Sequence, residues 1–253
     1  MSSLPRRKLS EGIAATLSAQ IADGSVAPHA HLPAEAELAA RFGVSPRVVR
    51  EALQHLAGKG LVELRQGRRA RVRPAHSGML SEALSLAVSR GNGSGAHLIE
   101  VRRTLETEIA RLAAQRATEA ELTAMERQLS EMDRLGPLLD TLPADAESLV
   151  REFIVYDLEF HRLLGVGSHN PVMLQLIDAL GDLLRETRVR TTWSVVRLGP
   201  GTVPNRKDHW AIFEAVRRGD APRAGELMQK HLDRVQRDLR SAELADISSG
   251  GPR

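Results

Sequence analysis

The chain has no cysteine. That excludes a disulfide framework, a thiolate zinc finger, an iron–sulfur cluster and a cysteine nucleophile. It agrees with a cytoplasmic location, which is the expectation here. Aromatic residues are scarce: one Tyr, two Trp and four Phe among 253 residues. A protein that grips single-stranded nucleic acid by stacking bases on aromatic rings needs more. Long apolar runs are missing too, and nothing approaches the ~18–20 residues of a membrane-spanning helix. The opening MSSLPRRKLSEGIAATL has a basic cluster but no apolar core followed by a small-residue cleavage site, so neither secretion nor a membrane partner is expected.

What remains is an ordinary soluble composition, with 42% hydrophobic and 26% charged residues. The length suits one or two domains. The small net charge of +3 hides an asymmetry, because residues 1–77 hold 12 basic and 6 acidic side chains whereas residues 78–253 hold 23 and 26. A basic segment joined to a slightly acidic one points to a nucleic-acid-binding module attached to something else.

Periodicity divides the chain the same way. Leu9, Ile13, Leu17 and Ile21 form one helical stripe. A second short helix follows Pro33, with Leu38, Ala39 and Phe42 inward. Gly43-Val44-Ser45 reads as a tight turn. Ser45 then Pro46 is a helix-start signal: a side-chain oxygen at the cap, then proline at the first helical position. The third helix, about Pro46–Ala57, turns Val49, Ala52, Leu53 and Leu56 inward, and Arg47, Arg50 and Gln54 outward. Residues 61–65 and 70–73 alternate like strands, with Gln66-Gly67-Arg68-Arg69 as the hairpin tip. Helix, turn, helix and basic hairpin make a winged helix-turn-helix. Its third helix would enter the major groove, where an arginine fork can bond guanine. Arg68 and Arg69 would hold phosphate or reach the minor groove.

Residues 74–78 read as a linker, and Gly91 to Gly95 as a breaker. Beyond them the pattern is helical throughout. Helices are expected at 96–118 (stripe Leu98, Val101, Leu105, Ile109, Leu112), 119–135, 145–166, 171–191, 206–218 and 222–239. Asn170 caps the one that begins at Pro171. The expected architecture is mainly α: a winged helix-turn-helix over residues 1–75, an all-α bundle of six or seven helices over 76–245, and a disordered tail over 246–253.

In the bundle, Asp157 and His161 stand at i and i+4 and project from one helix face. His209 and His231 follow on the last two helices. One carboxylate with three imidazoles suits a divalent ion, with zinc first and nickel, manganese or iron as alternatives. Spacing alone is weak support, since the chain has nine His and single ones usually serve packing or the surface.

The string LPAEAELAARFGVSPRVVREALQHLAGKGLVELRQGRRARV resembles the winged helix of the GntR family of bacterial transcription regulators. The strings EVRRTLETEIARLAAQRA, DLEFHRLLGVGSHNP and HWAIFEAVRRGDAPRAGELMQKHL resemble the all-helical FCD effector domain of the family's FadR-type branch. The resemblance implies DNA contacts from Ser45, Arg47, Arg50, Gln66 and Gly67. It implies metal ligation by Asp157, His161, His209 and His231, and a grip on a small carboxylate effector by Arg102, whose competing role is an ion pair with Glu106. Two departures are Pro46, where the family usually has Arg, and a wing lacking its second glycine.

The resulting expectation is a dimeric, metabolite-responsive regulator, a repressor of a palindromic double-stranded operator, switched by a sugar acid or hydroxy acid and not an enzyme. Two other readings stand beside it: a metal-dependent hydrolase, and an architectural DNA-binding protein with a structural metal.

Overall fold

The computed structural model describes residues 6–73, 78–91, 93–141 and 146–248. The chain divides into two compact units, Met1–Met79 and Leu80–Arg253.

In the first unit, helix α1 (Arg6–Ala22) packs on α3 (Pro46–Gly58), and α2 (Glu35–Phe42) packs on α3 as well. The core is apolar: Ile13, Leu17, Leu32, Leu38, Val49, Leu53 and Leu56 are buried. Gly43 ends α2 in the left-handed conformation at φ 66°, which glycine adopts without a Cβ penalty. The chain thereby turns at once into α3. Strands β1 (Val62–Glu63) and β2 (Arg71–Val72) pair antiparallel, Val62 opposite Val72. The segment before α2 joins the other side of β2, with Leu32 N donating to Ala70 O at 2.8 Å and Val72 N to Ala30 O at 2.8 Å. The strands are shorter than the alternation suggests, because pairing stops where Leu64 and Arg65 swing out to solvent.

The second unit is helical throughout its described residues. It comprises most of α4 (Gly78–Arg90), then α5 (Gly95–Arg116), α6 (Glu119–Leu139), α7 (Ala146–Gly167), α8 (Pro171–Leu198), α9 (Val203–Arg217) and α10 (Ala221–Ser248). Helix α5 lies along α10, and α6 along α7. Phe153, Phe160, Phe213, Met125, Leu129 and Leu232 meet in one core. Asn170 caps α8 as expected, its Oδ1 accepting from Val172 N at 3.1 Å and Met173 N at 3.2 Å.

Three expectations need correction. The inward stripe of α5 is turned by one position: Ile99, Arg102, Glu106, Ile109 and Ala113 are buried, while Val101 is exposed. Arg102 and Glu106 neutralise each other inside, so the apolar residues do not mark the inward face. Helix α8 continues seven residues past Thr191, to Leu198. Helix α10 runs to Ser248, three residues into the expected tail, because Ala242, Glu243, Leu244 and Ala245 are good helix formers. Residues 74–77, Asn92, Asp145 and 249–253, on which parts of the linker, breaker, helix-start and tail assignments fall, lie outside the described residues.

Candidate functional site

Helix α3 presents two faces. Val48, Val49, Ala52, Leu53 and Leu56 are buried, while Arg47, Arg50 and Gln54 are exposed. A groove between α3 and the wing collects Arg50, Gln54, Gln66, Gly67, Arg68 and Arg69. Gly67 turns the wing tip at φ 70°. Ser45 and Arg47 are exposed at the start of α3, outside that groove. Ser45 holds the cap position, but its side chain makes no capping bond; its carbonyl accepts from Val48 N at 3.0 Å instead. The serine hydroxyl therefore remains available to an outside acceptor. Arg50 is paired with Glu35 at 2.6 Å and Arg69 with Glu37 at 3.5 Å. These pairs are exposed, and such pairs contribute little in water.

The bundle interior is different. His161 on α7, His209 on α9 and His231 on α10 are buried, with one ring nitrogen of each lying within 4.8 Å of the others. His161 Nε2 and His209 Nε2 are 3.2 Å apart. Each outward Nδ1 has an oxygen beside it. His209 Nδ1 meets Asn205 O at 2.7 Å, His161 Nδ1 lies against Glu106 Oε2, and His231 Nδ1 is 3.5 Å from Asp208 Oδ2. At His209 and His161 the acceptor beside Nδ1 places the proton there and leaves the Nε2 lone pair facing inward, whereas His231 Nδ1 also meets a donor, Arg234 Nη2, at 3.3 Å. His231 Nε2 is buried with no hydrogen-bond partner. Burial, followed by the neighbouring imidazoles, pushes the His231 pKa far below the ordinary histidine value, and burial and His161 do the same to His209. Converging imidazole nitrogens, one of them orphaned, with oxygen acceptors behind His209 and His161, are a donor set and outer shell that suit a divalent ion.

Asp157 stands slightly apart. Its Oδ1 is 3.2 Å from His209 Nε2, but its Oδ2 accepts from Arg188 Nη1, and it is not one of the three groups that converge. Arg102 pairs with Glu106 one turn along α5, in full burial, and its Nη1 has no hydrogen-bond partner. Burial raises the Glu106 pKa, but Arg102, His161 and Arg188 outweigh it and hold the carboxyl well below the usual carboxylate range. Burial and the like charge of Arg102 press on Arg188, yet a guanidinium keeps its proton inside proteins.

Arg188 and Glu106 are the residues that sequence reasoning undervalued. The signal was available: Arg188 follows Ile177, Leu180 and Leu184 on the buried stripe of α8. A charge on an apolar stripe is a candidate for function. Helix α9, which carries His209, is pinned to α6. Thr202 N donates to Asp140 Oδ1 at 2.7 Å, Arg206 Nη1 to Asp133 Oδ1 at 2.8 Å, and Trp210 Nε1 to Asp133 Oδ2 at 2.7 Å. His169 ends α7 with φ 51° and meets Glu121 at 3.1 Å, away from the cluster.

A winged helix with an arginine-lined groove, on a chain whose second unit is a helical bundle closed around polar groups, defines a DNA-binding regulator with a separate all-helical unit. Residues 9–72 match the gntR family of bacterial regulatory proteins and residues 97–234 match the FCD domain. The chain belongs to the gntR family, in the branch that carries an FCD domain. It is 34% identical over 241 residues to the HTH-type transcriptional repressor NanR of Klebsiella aerogenes, covering 94% of this chain and 88% of that protein. The NanR of Edwardsiella tarda is 33% identical, and that of Escherichia coli K12 is 32% identical, each over 92% of this chain and over 85% and 84% of their own lengths. A solved Streptococcus agalactiae GntR shares the fold at a TM-score of 0.65 and 23% identity, covering 90% of this chain and 99% of that one. The family is one of transcription regulators, not enzymes, which sets the hydrolase reading aside. Among the described residues no helix is long and apolar enough to cross a membrane.

Proposed function

We propose that the protein is a cytoplasmic, metabolite-responsive repressor that binds a palindromic operator as a homodimer. Ser45, Arg47, Arg50 and Gln54 read or position the DNA from α3, and Gln66, Gly67, Arg68 and Arg69 do so from the wing. His161, His209 and His231, with Asp157 as the fourth ligand, hold a divalent ion, zinc by preference. A small carboxylate, a sugar acid or hydroxy acid, binds against that ion with help from Arg102. The observation that carries this reading is the set of three buried imidazoles with inward Nε2 atoms, one orphaned, beside the unpartnered Nη1 of Arg102. Repression is the activity named for the most similar relatives. The switch requires the acid to favour one dimer geometry over another.

Native mass spectrometry of chain purified without chelator or a metal-affinity column tests it. The expected species is a dimer with one divalent ion per chain and an acidic adduct that leaves with the metal. A folded dimer without metal refutes the ligand set. A metal whose removal melts the fold, in a chain that no small acid stabilises, returns the reading to an architectural protein.

A further inference from the structure

The groove between α3 and the wing is lined with arginine, yet the first turn of α2 brings two acids, Glu35 and Glu37, to those arginines. A carboxylate beside a DNA-binding surface repels phosphate. Stability does not explain it, because exposed pairs contribute little. The two acids hold their arginines differently. Glu37 uses Oε2 at the helix start, where it accepts from Ala34 N at 3.0 Å, and its Oε1 only approaches Arg69, at 3.5 Å. Glu35 gives both oxygens to Arg50: Oε1 accepts from Nε at 3.2 Å and Oε2 from Nη2 at 2.6 Å. A guanidinium has five N–H donors in a planar fork. Glu35 takes the Nε edge and leaves the end of the fork free, where Nη1 and Nη2 lie side by side. Two parallel donors of this kind fit guanine O6 and N7. A two-point hold fixes orientation as well as position, and it spares part of the ordering cost that a long, loose side chain meets on binding.

We propose that Glu35 is a positioning residue for sequence reading: it holds Arg50 by one edge so that the free end of the guanidinium meets a guanine. This rests on the reading of Arg50 as a base contact and adds what aims it. A phosphate competes with Glu35 for the same arginine, whereas a guanine approaches the end that Glu35 leaves open. Glu35 therefore works against DNA that offers only phosphate and in favour of DNA that offers the guanine. Specificity gains from the repulsive element as well as from the attractive one.

The test uses the full chain on two probes: a randomised duplex pool, from which its preferred site is selected, and an alternating A·T duplex, which offers phosphate and no guanine. Arg50→Ala is expected to relax one guanine of the selected site by about tenfold. Glu35→Gln is expected to relax that same position by about three- to fivefold, the scale of one exposed ion pair, and to bind the A·T duplex more tightly than wild type. Glu35→Asp, which keeps the charge and shortens the arm, is expected to relax the position without the gain on A·T. Glu37→Gln removes a charge from the same turn, and is expected to share the gain on A·T and leave the position intact. A Glu35→Gln that melts like wild type and keeps full selectivity at the Arg50 position overturns the proposal, and makes Glu35 a counter-charge only. Equal relaxation by Glu35→Gln and Glu37→Gln also overturns it, since charge alone then accounts for the effect. If Arg50→Ala relaxes no position, the reading of Arg50 as a base contact falls, and the proposal with it.

Discussion

Arginine does opposite work in the two units. In the winged helix, Arg50 is 60% exposed and rests on an acidic partner that is itself 37% exposed. In the bundle, Arg102 and Glu106 are 2% and 1% exposed. The first kind of pair is open to water and salt and yields readily to a phosphate. The second has no water to fall back on, so it is strong only while intact. The DNA-binding unit can therefore exchange partners cheaply, whereas the bundle must balance its charges before it can accept a new one.

The strongest way to break this contrast is to remove one charge from each unit. Arg102→Leu leaves Glu106 buried without its partner and should cost about 3–5 kcal/mol of stability. Arg50→Leu should cost no more than about 1 kcal/mol. Denaturant unfolding of the full chain checks both, and a small loss at Arg102 would mean that water reaches Glu106. Next in size is metal binding. His231→Ala should weaken it by at least about 100-fold, beyond the usual effect of losing an outer-shell partner, while His169→Ala should leave it unchanged; competition against a chromogenic chelator measures both.

On the DNA side, Arg50→Ala should remove about 1–3 kcal/mol of discrimination among operator variants if it reads a base. Arg68→Ala should weaken all sequences alike and reduce the salt slope by about 1. Gel shifts at several salt concentrations separate the two roles, and an unchanged variant profile for Arg50→Ala would take it off the recognition face. The smallest contrast compares the two helix starts that carry proline at the first position. Asn170→Ala should cost about 1 kcal/mol, a typical cap loss. Ser45→Ala should be close to neutral for stability, since its side chain caps nothing, and should affect DNA binding only.

Much of this was legible in the sequence, for physical reasons that differ by region. Helix α3 could be read because its inward face is wholly apolar and its outward face wholly polar, so a 3.6-residue period identifies both. The three histidines on α7, α9 and α10 became a set only through resemblance, since their spacing fixes nothing about how three helices meet. Helix α5 was misread by one position because Arg102 and Glu106 satisfy each other inside, which hides the inward face from any hydrophobicity pattern. Arg188 is legible as a charge on the apolar stripe of α8, but the acid it meets lies on another helix and no spacing points to it. Ser45 shows the limit of local signals: the Ser-Pro pair placed the helix start correctly, but a side-chain oxygen at a cap position need not bond the backbone.

The anchoring of α9 has a mechanical consequence. Four hydrogen bonds to Asp133 and Asp140 hold its cap and first two turns against the C-terminal end of α6, so rolling this helix would break several at once. Helix α8 holds its buried charge through the single pair of Arg188 with Asp157. His209 thus sits on a helix whose start is fixed by polar anchors as well as by packing.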